Sequence, residues 1–89
     1  MDKIVNIALQ ILPSSKIAHP YAIVDAAIAV IAASGIKYKV TPFETVMEGP
    51  YAQIMDIAEQ AQKACYAAGV DSLMTYIKIQ SSTTDVSIE

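Results

Sequence analysis

Apolar and polar residues alternate in KIVNIALQI, the first patterned stretch of the chain (residues 3–11). A period of two is typical of a β-strand with one buried face. The more apolar face consists of Val5, Ile7, Leu9 and Ile11, and the opposite face consists of Ile4, Asn6, Ala8 and Gln10. The following LPSSK has loop chemistry and is predicted to end the strand.

Two stretches have helical spacing instead. Residues 20–34 are rich in alanine and begin with Pro20, which suits a first helical turn. Residues 51–68 form the clearer amphipathic helix, with polar side chains opposite the apolar ones. Gly35 and Gly69 follow the two helices and are predicted to cap them. The apolar stripes are Ile23, Ala26, Ala27, Val30 and Ile31 in the first, and Ile54, Ile57, Ala58, Ala61, Ala64, Cys65 and Ala68 in the second.

Three further strands complete the pattern, at residues 36–40, 43–48 and 72–80. The order β-α-β-β-α-β predicts an α+β, ferredoxin-like sandwich, a four-stranded antiparallel sheet with two helices on one face. We expect one such domain over residues 1–80. Residues 81–89, SSTTDVSIE, are interpreted as a polar C-terminal tail, mobile unless a partner subunit holds it.

Composition adds a constraint on how the sheet is covered. The chain has 89 residues, of which 54% are hydrophobic and only 17% charged. A domain of this size buries roughly 60–65% of its unfolded surface, so it carries more apolar side chain than one small core can hide. An oligomer interface or a ligand pocket would use the excess.

Several function classes are disfavoured. The net charge is −3 and arginine is absent, which argues against nucleic-acid and phosphoryl-transfer roles. One cysteine and one histidine, Cys65 and His19, suggest no metal site and no catalytic pair. The longest apolar run is interrupted by Asp25 and is too short for a membrane span, and no signal peptide is recognised. We therefore expect a cytoplasmic protein that is not an enzyme.

The sheet face away from the helices has a semi-polar composition. We expect it to carry Asn6, Ala8 and Gln10 from the first strand, and Met74, Tyr76, Lys78 and Gln80 from the last. The middle strands are ambiguous, because neither face of residues 43–48 is cleanly apolar. This face is either a half-solvated surface or oligomer interface, or a shallow pocket for a flat heterocycle that stacks on tyrosine.

Two stretches, SGIKYKVTPFETVMEGPYAQIM and LMTYIKI, resemble the small thiamine-binding proteins, formerly grouped as an uncharacterised protein family and related to thiamine/hydroxymethylpyrimidine-binding domains. The resemblance runs over roughly residues 3–80. It implies a ferredoxin-like fold, assembly into homodimers or dimer-of-dimers tetramers through the open sheet faces, and non-catalytic binding of thiamine or its pyrimidine part. The matching residues are Gly35, Tyr38, Thr41, Pro42, Thr45, Glu48, Gly49, Thr75, Ile77, Lys78 and Ile79.

Under this hypothesis thiamine is a ligand and no other cofactor is expected. Its aminopyrimidine could stack on a tyrosine and pair with a carboxylate or amides, and its thiazolium would suit an aromatic face. Thr45 and Glu48 lie three apart, so on a regular strand only one of them faces the ligand. The alternative is a structural or regulatory homo-oligomer without a ligand. The candidate ligand-binding residues are Asn6, Gln10, Tyr38, Thr45, Glu48, Tyr76 and Lys78.

Overall fold

A computed structural model describes residues 3–14, 16 and 19–88 of the chain. Over these residues the elements alternate in the order β1-α1-β2-β3-α2-β4. Their bounds are Ile4–Ser14 for β1, Pro20–Ala33 for α1, Lys37–Val40 for β2, Thr45–Pro50 for β3, Tyr51–Ala67 for α2 and Ser72–Gln80 for β4.

The four strands of this part of the chain form one antiparallel sheet in the order β2-β3-β1-β4. Both helices pack on the same face of the sheet, where alternate side chains of β1 join the helices' apolar stripes in one cluster. The predicted ferredoxin-like sandwich is therefore confirmed. Within the described residues, neither helix is long and apolar enough to cross a membrane.

The core is built from the apolar faces that the patterns predict. Ile7 on β1, Ile23 on α1 and Ile54 on α2 are each 0% exposed. Gly35 and Gly69 follow the helices with φ angles of 78° and 101°, a left-handed conformation that glycine adopts without steric cost. The helix boundaries therefore follow from local chemistry, and the core follows from periodicity.

Two strands differ from the prediction by more than one residue. The predicted loop LPSSK was wrong over its first three residues, because Leu12–Ser14 continue β1 and pair with β4. The register with β3 ends at Leu9, so this part of β1 borders β4 alone. Pro13 can stand there because one side of the strand needs no ladder hydrogen bonds. The third strand, predicted at residues 43–48, lies two residues later, at Thr45–Pro50.

Ile7 and Ile79 are cross-strand partners in β1 and β4 and provide a test of the core. Ile7 is 0% exposed and Ile79 is 42% exposed. We expect Ile7→Ala to lower the free energy of unfolding by about 2–5 kcal/mol, since it leaves a cavity. Ile79→Ala, the matched control, should cost roughly 1 kcal/mol, because less apolar area is lost. Urea denaturation measures both; equal losses would contradict the assigned core.

Candidate functional site

The face of the sheet opposite the helices, here called the open face, has its side chains arranged in rows across the strands. The pairing places Lys37, Glu48, Asn6 and Gln80 side by side in one row. The next row holds Lys39, Val46, Ala8 and Lys78. Gln10 lies opposite Tyr76, and Leu12 opposite Met74, further along β1 and β4.

A depression of about 500 Å³ lies on the open face, centred on the second row. Cavities of roughly 300–1,000 Å³ are usual for small-molecule sites. Ala8 and Val46, on the two central strands, are small and leave space between the longer side chains around them. We call this depression the open-face pocket; its lining residues are Asn6, Ala8, Lys39, Thr41, Glu44, Val46, Lys78, Ile79, Gln80, Ser87 and Ile88.

Asn6 is the buried polar residue at the wall of this pocket. It is 8% exposed. Its Nδ2 donates to Gln80 Oε1 at 3.1 Å and to the Ser87 carbonyl at 2.7 Å, which fixes the orientation of the amide. Asn6 Oδ1 is buried and accepts no hydrogen bond from the described residues. Leaving a buried acceptor unpaired is costly, so any donor that reaches this atom would be favoured.

Charged side chains surround the pocket in pairs. Lys78 Nζ lies 3.1 Å from Glu44 Oε1, and Lys37 Nζ lies 3.6 Å from Glu48 Oε2. The two carboxylates are largely covered, with 21% of the Glu44 side chain and 17% of the Glu48 side chain exposed. Lys39 lines the pocket without an ion pair to another described residue. The rim therefore offers both signs of charge in fixed places.

The C-terminal tail docks on its own sheet. β4 ends at Gln80, opposite Asn6, so it provides no partner for Ile4. The tail takes that place: the Ile4 amide donates to Asp85 Oδ1 at 2.8 Å, and the Val86 amide donates to the Ile4 carbonyl at 3.1 Å. These bonds lie within one chain, and that the tail is mobile unless a partner subunit holds it stays a prediction.

The end of the tail then crosses the open face from β1 toward β3. The Ile88 amide donates to Glu48 Oε1 at 2.9 Å. This hydrogen bond is the largest factor that lowers the pKa of Glu48, and the neighbouring Lys37 charge and a hydrogen bond from Ser87 act in the same direction against the cost of burial. Glu48 thus holds the tail in its ionised form.

The structure brings only part of the predicted site together. Asn6 and Lys78 line the open-face pocket, and Glu48 lies beside it under the tail. Gln10 and Tyr76 share the open face but lie one row further along, where the Tyr76 hydroxyl donates to Met74 Sδ at 2.9 Å. No ring of the described residues lines this pocket.

Tyr38 and Thr45 lie on the helix-facing side of the sheet. Their register partner residues are Met47 and Leu9, both in the core. Thr45 is 6% exposed and lines a separate hollow of about 270 Å³ between α1 and the β2–β3 loop. The two residues therefore do not join the open-face set. Between Thr45 and Glu48, only Glu48 lies on the open face.

Sequence reasoning missed most of the pocket lining. Lys39 and Val46 share a row with Ala8 only because β1, β2 and β3 pair in this register, which period two does not specify. Ser87 and Ile88 come from a tail with no periodic pattern. One signal could have placed Lys39 on the open face. Side chains alternate along a strand, so if Tyr38 faces the helices, Lys37 and Lys39 must both face away from them.

Comparison with known proteins agrees with the fold. A sequence model described as thiamine-binding protein matches residues 7–89. The chain belongs to this family. A UPF0045 protein of Clostridium perfringens is 33% identical over 84 residues, which cover 94% of this chain and 88% of that protein. The predicted family resemblance is confirmed, and the family is not a known class of enzymes.

Solved structures extend this comparison. A domain of unknown function, DUF77, from Bacillus cereus superposes with a TM-score of 0.94 at 36% identity, over 99% of this chain and 86% of that one. A candidate thiamine biosynthesis/salvage protein from Thermotoga maritima superposes with a TM-score of 0.86 at 22% identity, over 96% and 90% of the two chains. At that identity the second similarity shows the fold alone.

The lowered pKa of Glu48 predicts how tail docking depends on pH. The carboxylate form is favoured when Ile88 is docked, so docking is fully supported above the ordinary glutamate pKa of about 4.3. It weakens as the pH falls through the lowered pKa. We expect the Ile88 amide proton resonance to titrate with Glu48 in an NMR pH series. Glu48→Gln, which removes the ionisable group, should abolish that titration; an unchanged titration would contradict the contact.

Proposed function

We propose that this protein binds thiamine or its hydroxymethylpyrimidine moiety in the open-face pocket, without chemistry, at an interface between copies of the chain. The observation that carries the proposal is the pocket of about 500 Å³ with the buried, unpaired acceptor Asn6 Oδ1 in its wall, in a chain of the thiamine-binding protein family. A small-molecule binding protein with a single cysteine fits a cytoplasmic location, which remains part of the proposal.

The pocket chemistry supports an aminopyrimidine. A flat ring could lie over the small side chains of Ala8 and Val46, the floor of the pocket. Its exocyclic amino group is a hydrogen-bond donor of the kind that Asn6 Oδ1 lacks. Glu44, whose side chain is 21% exposed, would place a carboxylate near the thiazolium cation. The amino group and the cation of the ligand would then each have a partner of complementary chemistry.

Ala8 provides the test, because a larger side chain there would fill the floor of the pocket. We expect isothermal titration of the unmodified chain with thiamine or hydroxymethylpyrimidine to give a binding heat. Ala8→Leu should weaken that binding by at least about tenfold. Ala29→Leu makes the same substitution on the exposed side of α1 and should leave binding unchanged.

Two results would contradict the proposal. The first is an unmodified chain that releases no heat with either compound at millimolar concentration. The second is an Ala8→Leu variant that melts cooperatively like the unmodified chain and still binds with the same affinity, since the ligand would then lie elsewhere.

The oligomeric part of the proposal rests on apolar side chains at the far end of the open face. Leu12, Met74 and Tyr76 are 43%, 55% and 47% exposed and neighbour one another across β1 and β4. Covering them with a second copy would remove this apolar surface from water. The same observation favours the alternative function, a structural or regulatory homo-oligomer with no ligand, so the two must be separated by ligand titration.

Sedimentation of the chain tests the interface. We expect a dimer or tetramer, and we expect Met74→Lys to shift it toward the protomer, since a lysine in a self-complementary contact would face its own copy. Lys63→Met, a reverse exchange on the exposed side of α2, should leave the assembly unchanged. If the unmodified chain sediments as a single protomer at working concentration, the oligomeric part of the proposal is contradicted.

A further inference from the structure

Two residues of the C-terminal tail form one wall of the open-face pocket. Ser87 and Ile88 line it together with strand residues on the other sides. They reach this place through two bonds to open-face side chains, from Asn6 Nδ2 to the Ser87 carbonyl and from the Ile88 amide to Glu48 Oε1. The tail therefore borders the pocket and leaves its volume open.

The docking is specific to these positions. Asp85 and Val86 both bond to the backbone of Ile4, at the point of β1 that β4 leaves without a partner. The Glu48 side chain reaches across from β3 and accepts from the Ile88 amide, while Ser87 adds a side-chain hydrogen bond to the same carboxylate. Contacts from two strands thus fix the path of four consecutive residues.

The docking is also shallow, so the segment can open. Val86 and Ile88 are only half-buried, and Asp85 and Ser87 are exposed. A segment with few buried apolar contacts opens at a small free-energy cost compared with unfolding of the whole domain. A molecule that touches the docked segment would favour the closed arrangement, and the closed arrangement would bind that molecule more tightly by the same factor.

We propose that residues 85–88 are a closing strap of the ligand site, held by Asn6, Glu48 and Ile4, which docks against one side of the bound molecule and slows its release. This inference rests on the proposed function for the identity of the ligand. Glu48 is then a positioning residue that acts through the strap, and Ser87 and Ile88 are further contacts to the ligand.

Two truncations of the full chain test the strap. A chain that ends at Thr84 lacks all four docking residues, and a chain that ends at Ile88 keeps them and serves as the matched control. We expect the first to bind thiamine about tenfold more weakly by calorimetry, with faster release, and the second to bind like the unmodified chain. Ile88→Pro keeps the length, removes the amide that donates to Glu48, and should weaken binding in the same direction.

A second measurement follows the strap itself. In amide hydrogen exchange of the unmodified chain, we expect the Val86 and Ile88 amides to exchange more slowly than that of Thr83, and to slow further when thiamine is added. The strap proposal would be overturned if the chain ending at Thr84 bound thiamine as tightly as the unmodified chain. It would also be overturned if thiamine did not change the exchange rates of the Val86 and Ile88 amides. If the unmodified chain binds neither thiamine nor hydroxymethylpyrimidine, the proposed function fails and the strap proposal fails with it. If the strap proposal alone is wrong, the chain that ends at Thr84 still binds the ligand as tightly as the unmodified chain.

Discussion

Both helices pack on the same side of a single sheet, and the rest of the structure depends on this constraint. Alternate residues of β1 are committed to the core, as with Ile7 at 0% exposure, and the intervening residues must face away from the helices. That second face runs across all four strands, and neither helix covers it. The chain covers part of it with its own C-terminus, through Glu48 and Asn6.

The fold could be predicted from sequence because several local signals agree with it. The period of β1, the two alanine-rich helical stripes and the glycines after the helices specify the same element order. The errors lie at boundaries set by pairing. Leu12–Ser14 read as loop because of Pro13, but their pairing with β4 continues the strand. Such a boundary depends on pairing with another strand, and the residues of one strand alone do not reveal that pairing.

The candidate site was less accessible to sequence reasoning. Asn6 and Lys78 could be found, because strong alternation in β1 and β4 assigns their faces. The faces of the weakly patterned β3 could not be assigned from its own residues. The spacing puts Thr45 and Glu48 on opposite faces, and only the pairing with β1 shows that Thr45 is buried on the helix-facing side and Glu48 lies on the open face. Ala8 carries no chemical signal at all. It becomes informative only when its row neighbours are long and the small side chain leaves a depression between them.

The open face changes character along the strands, which would let the tail and a second copy cover different parts of it. At the Asn6 end it is polar and hydrogen-bonded to the tail. At the Leu12 end it is apolar and exposed, beside Met74 and Tyr76. The open-face pocket lies between these two ends. A second copy that sits on the apolar end would close the pocket from one side while the tail borders it on the other. In the polar row, the Lys37–Glu48 ion pair and the Asn6 Nδ2 donor already have partners in the same chain, so a second copy would add little to them.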